Sequence, residues 1–79
     1  MKLYVTAIHD RLNGYGPLIT VSNLDIAKRS FIDSVNDVTT TIAKNADDFT
    51  LWCLGSYDPD TGALVPKLEC ILKADSIKG

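Results

Sequence analysis

One stretch of this chain repeats apolar residues at helical spacing. Leu24, Ala27, Phe31 and Val35 fall at intervals of three and four, which places them on one stripe of a helix. Asp25, Lys28, Arg29, Asp33 and Asn36 lie mostly off that stripe. Ser22 is the expected N-cap, with Asp25 three residues on in a capping-box arrangement, and the helix is expected to run to about Asn36. A helix with one apolar stripe must lay it against another element.

The flanking segments read as strands. Leu3 to Ile8 alternates, with apolar groups on both faces, which marks a central strand. Residues 10–17 read as a loop, in which Asn13-Gly14 is a turn signal and Gly16-Pro17 closes the segment. Leu18 to Val21 reads as a second strand, antiparallel to the first. Thr39-Thr40-Thr41 disfavours helix, and Ile42 to Asn45 forms at most one helical turn. Thr50 to Tyr57 is a third strand, with Leu51, Cys53 and Tyr57 on one face and Trp52 and Leu54 on the other. Asp58-Pro59-Asp60-Thr61-Gly62 is a tight turn: Asp58 bonds its own backbone, Pro59 presets φ, and Gly62 takes the left-handed position. Ala63 to Val65 returns as a fourth strand. Pro66 marks an edge or a bulge, and Leu68 to Leu72 extends the strand or adds a fifth. The expected architecture is α+β: a small antiparallel sheet of four to five strands in the order ββαββ, with one main amphipathic helix on one face. Residues 1–74 are expected to form a single domain and 75–79 a flexible tail.

Seventy-nine residues bury a marginal core. Two cysteines build no disulfide framework. Self-association is therefore expected, as a homodimer through a strand edge or the helix face. Simple pairing outward from the Asp58 turn puts Cys53 opposite Pro66 and Lys67, and Cys70 opposite Phe49 and Thr50, too far out of register for a disulfide. No apolar run approaches the roughly 20 residues that span a bilayer, and the N-terminal segment lacks the order of a signal peptide. A cytoplasmic protein with reduced, buried thiols is the expectation.

The formal net charge of −2 carries no general electrostatic footprint for nucleic acid. Phosphate contacts would need a local patch, and Lys28, Arg29, Lys44 and Arg11 are the candidates. The plainer reading of Lys28-Arg29 is a solvated helix face with Asp25 and Asp33 as pairing partners. Tyr4, Trp52 and Tyr57 could stack on bases, although Trp52 is read first as a core or subunit-interface residue. Tyr15, on a glycine-flanked loop, is the aromatic expected to be exposed.

His9-Asp10 is the one histidine–carboxylate neighbour pair. Adjacent strand residues point to opposite faces, so the pair reads as a strand end and not as a catalytic dyad. From Asp58 onward, the glycine of a calcium loop would come one place early, at Gly62, and Pro66 interrupts the loop. Gly14-x-Gly16 leads into Pro17 and a strand, unlike a phosphate loop. No enzymatic activity, cofactor or metal is expected.

Several short signals follow one another in a set order along the chain. Lys2-Leu3-Tyr4 opens a strand that ends in Ala7-Ile8-His9-Asp10, and Ala27, Arg29 and Phe31 precede Val35-Asn36-Asp37. Ile42 and Lys44 lead to Asp47-Asp48-Phe49, and then come Leu51, Gly55, Tyr57-Asp58 and Thr61-Gly62. Over nearly its whole length the chain resembles the small nonstructural protein of gokushovirus-type microviruses, which are single-stranded DNA bacteriophages. It departs from that pattern at Ala46, where proline is frequent, at Ser56, where glutamate is frequent, and at Lys28, where an apolar residue is common. The resemblance implies a non-enzymatic protein of the host bacterial cytoplasm. Its implied role is to bind DNA or a phage or host replication protein and so regulate viral single-stranded DNA synthesis. The other reading is a protein-interaction module, an inhibitor or adaptor, with no nucleic-acid contact.

Overall fold

The computed structural model describes residues 1–78. It is an α+β fold built on an antiparallel sheet. The strands are β1 (Leu3–Asp10), β2 (Gly14–Tyr15), β3 (Ile19–Val21), β4 (Phe49–Tyr57) and β5 (Leu64–Lys73). β1 is central. β4 lies along one side of it, β2 and β3 share the other side, and β5 pairs outside β4. The helices are α1 (Leu24–Asn36), α2 (Thr41–Lys44) and α3 (Ala74–Lys78), with a 3₁₀ turn at Ala46–Asp48. No described helix is long and apolar enough to cross a membrane.

α1 buries the expected stripe: Ala27, Phe31 and Val35 are buried and Leu24 is half-buried. Its N-cap is Asn23 and not Ser22, since the Asn23 side chain accepts from the Asp25 N–H at 2.8 Å. At the other end Thr40 serves two helices. Its hydroxyl donates to the Ser34 carbonyl at 2.7 Å and accepts from the Ala43 N–H at 3.1 Å, which caps α2. Phe31 and Val35 meet Leu51 of β4 and Ala74 of α3 in one cluster, with Ile8, Val21, Phe49, Ile71, Leu72 and Ile77 packed around it.

β5 is the edge strand, extends from Leu64 through Pro66 to Lys73, and has a pairing irregularity beside Pro66, as the proline implied. Three other expectations need correction. Gly14–Tyr15, read as loop, pairs with His9 and Asp10. Where a flexible tail is expected from residue 75, Ala74–Lys78 is helical; Ala74 is fully buried and Ile77 packs on the core, while Gly79 lies outside the described residues. Finally, irregularities at Leu51/Trp52 and Cys53/Gly55 reset the hairpin, so that Cys53 faces Glu69 and Cys70 faces Trp52. Both thiols are free; Cys53 is buried, but Cys70 is exposed. In this register they project from opposite faces of the sheet, which separates them more firmly than simple distance along the strands.

The Asp58 turn forms as expected. Asp58 accepts the Asp60 N–H on its side chain at 2.9 Å and the Gly62 N–H on its carbonyl at 2.7 Å, with Gly62 at φ +78°.

Candidate functional site

The helices cover only one face of the sheet. Thr6 and Ile8 of β1, with Leu51 and Cys53 of β4, form the covered face. Strand alternation sends Val5, Ala7 and His9 to the opposite side. There His9 pairs with Tyr15 on one side and with Thr50 on the other, and Thr50 pairs in turn with Lys73. A cross-strand row therefore reads Tyr15, His9, Thr50, Lys73. In the next row Ala7 lies opposite Trp52, and Trp52 opposite Cys70.

The rings in these rows meet edge to face. The His9 and Tyr15 centroids are 4.6 Å apart with planes at 67°, and those of Tyr15 and Trp52 are 6.1 Å apart at 82°. The Trp52 indole N–H donates to the Thr50 hydroxyl at 2.8 Å, which fixes the ring on this face. Tyr15 is 44% exposed. Beyond the aromatic group the face is apolar, with a shallow groove of about 190 Å³ between Val5, Leu18, Leu54, Leu64 and Pro66.

The four expected phosphate ligands come from the turn after β1, from α1 and from the end of α2. Arg11 Nε donates to Asp48 Oδ1 at 2.8 Å, and the Arg11 backbone N–H donates to the Asp48 carbonyl at 2.9 Å. Lys28 Nζ lies 3.7 Å from Asp25 Oδ1, one helical turn back. Arg29 is exposed on α1 between Asp25 and Asp33 at spacings of four. Lys44 is exposed at the end of α2, just ahead of Asp47 and Asp48. Lys28 and Arg29 thus sit toward the middle of α1, and Arg11 and Lys44 adjoin the 3₁₀ turn through Asp48 and in sequence. Each has carboxylates close by in sequence or space.

The partners of Asp10 lie in the turn that follows it. The Asp10 carboxylate holds the following turn, accepting the Leu12 N–H at 3.0 Å and the Asn13 side-chain amide at 2.9 Å. Among the described residues no group of three or more His, Cys, Asp or Glu side chains is placed to hold a metal ion. One carboxylate is perturbed. The Thr39 hydroxyl and, less strongly, the Thr39 N–H donate to Asp37 and hold its carboxyl below the usual range.

Of the open-face group only Trp52 is among the stacking residues expected from the sequence: Tyr15 is expected only to be exposed, His9 is read as a strand end, and Lys73 is not singled out. His9 was legible: alternation from Leu3 puts it with Val5 and Ala7, and the Asn13-Gly14 turn folds Tyr15 back onto it. Lys73 was not, because the irregularity beside Leu51 shifts its partner.

The family described as Phage ORF5 protein matches residues 2–77. No curated protein and no solved structure matches the chain.

Proposed function

We propose that this chain, which belongs to the phage ORF5 protein family, acts by binding and not by catalysis, and that its ligand is single-stranded DNA laid on the open sheet face. The observation that carries this reading is the cluster of Tyr15, His9 and Trp52 on an uncovered sheet, with Lys73 ending the same row. Bases stack on aromatic side chains whatever their sequence, and a cation beside them can meet a phosphate. The resemblance to microviral nonstructural proteins supplies the role: regulation of viral single-stranded DNA synthesis. Stacking on these rings, with Lys73 beside them, carries the reading, and Arg11, Lys28, Arg29 and Lys44 are secondary phosphate contacts in it.

Trp52 is the only tryptophan, so its emission reports on this face directly. Titration with a short oligothymidine at low salt is expected to quench it, with half-saturation in the tens of micromolar. Stacking is worth about 1–3 kcal/mol per base, so Tyr15→Ala should weaken binding about tenfold. Unchanged emission and unchanged anisotropy of a labelled strand in that range would overturn the proposal.

A second reading is favoured by the charge-free groove at Val5, Leu18 and Leu54 and by the ion pairs that occupy Arg11 and Lys28. It makes this face a docking surface for a phage or host replication protein. In that case Leu54→Asp should abolish capture of the partner, nuclease treatment should leave capture intact, and Tyr15→Ala should matter little.

A further inference from the structure

β5 is the outermost strand on its side of the sheet and the longest, and residues 64–70 are exposed throughout. Its neighbour identifies which backbone groups are free. A side chain built on Gly55 would run into the Val65 carbonyl oxygen, so that carbonyl points toward β4. By alternation the backbone groups of Leu64, Pro66, Leu68 and Cys70 point away from the sheet. Pro66, which has no N–H, thus sits where its donor would have faced solvent, the position proline takes in edge strands. Val65, Lys67 and Glu69 share the helix-bearing side, where they line one groove with Cys53. Neither Lys67 nor Glu69 has an ion-pair partner among the described residues.

We propose that β5 pairs antiparallel with β5 of a second copy of this chain, about a two-fold axis through Leu68. Charge selects that centre. A two-fold axis at Lys67 would set two lysines opposite each other, and one at Glu69 would set two carboxylates together. An axis at Pro66 removes both central N–H donors. With Leu68 on the axis, Lys67 of each copy faces Glu69 of the other, Leu68 meets Leu68, and Pro66 lies opposite Cys70. The pairing uses the free donors and acceptors of Leu68, the Cys70 N–H and the Pro66 carbonyl. It leaves the open faces of both copies on one continuous sheet. The proposal stands apart from the nucleic-acid reading, because it is tested without DNA.

Sedimentation over micromolar to millimolar concentration reads the association. The wild-type chain should form dimers in that range. Lys67→Glu should weaken the dimer about tenfold, since both cross-strand pairs become repulsive. The swap Lys67→Glu with Glu69→Lys should restore the wild-type constant to within about twofold, because the same register again opposes unlike charges. On the axis the two Cα atoms would be about 5.5 Å apart, within reach of a disulfide. Leu68→Cys in a Cys70→Ser background should therefore oxidise to a covalent dimer, whereas Leu64→Cys in that background should not. All these positions are exposed, so the fold is retained in each variant. A monomer at millimolar concentration would overturn the proposal. So would a dimer indifferent to Lys67→Glu, the outcome if two open faces packed together instead.

Discussion

Gly55 lies at φ +152°, where a side chain would meet the backbone of Val65 and Pro66. Both the conformation and the space exclude a Cβ. Gly55→Ala is expected to cost about 3 kcal/mol, from overpacking and backbone strain together, read as a drop in the urea midpoint. The glycine is visible in the sequence as one of the signals of the family resemblance, before Tyr57-Asp58, but its reason is not. It allows β5 to approach β4 just where the pairing irregularity falls. The cations show the opposite limit. Arg11, Lys28, Arg29 and Lys44 are all legible as charged and exposed, but Arg11's ion pair with Asp48 spans 37 positions, and no local pattern announces it. The local pairs, Lys28 with Asp25 and Asp37 with Thr39, follow from spacing alone.

Among the elements, α1 was the most legible, because a stripe at intervals of three and four has one interpretation. Its start shifts by one residue only because Ser22 and Asn23 both suit an N-cap, and Asn23 is the one whose oxygen reaches the Asp25 N–H. β4 and β5 were legible as a hairpin but not in register. Simple pairing from the Asp58 turn assumes an unbroken ladder, and two irregularities break it. α3 was missed for a related reason: Ala74-Asp75-Ser76-Ile77 is too short and polar to show a period, and only the core draws it in. Ending the chain after Lys73 should therefore lower stability by about 2 kcal/mol through loss of Ala74 and Ile77 from the core. A free tail would leave the denaturation midpoint unmoved.

The whole molecule is a body of 40 × 22 × 18 Å with helices on one side of a sheet and none on the other. This two-sidedness was only partly legible. Apolar residues on both faces of β1 read as a central strand, which β1 is, yet they do not reveal that one face stays open. Charge also acts at this scale. With a net charge of −2 and Arg11 and Lys28 occupied by carboxylates, few cations remain for phosphates. The slope of log Kobs against log salt for single-stranded DNA is expected to be shallower than about −2, since each neutralised phosphate contributes about −0.7. Titrations at three salt concentrations measure it, and a steep slope would mean that the basic residues are released from their partners. The side of the sheet beyond β1 has a consequence of its own. That border is split between strands of two and three residues, with Gly16-Pro17 between them, and it offers no long ladder on which a further chain could grow. Any assembly begun at β5 therefore terminates at its first addition, and the protein is protected from fibre formation by the brevity of its far rim.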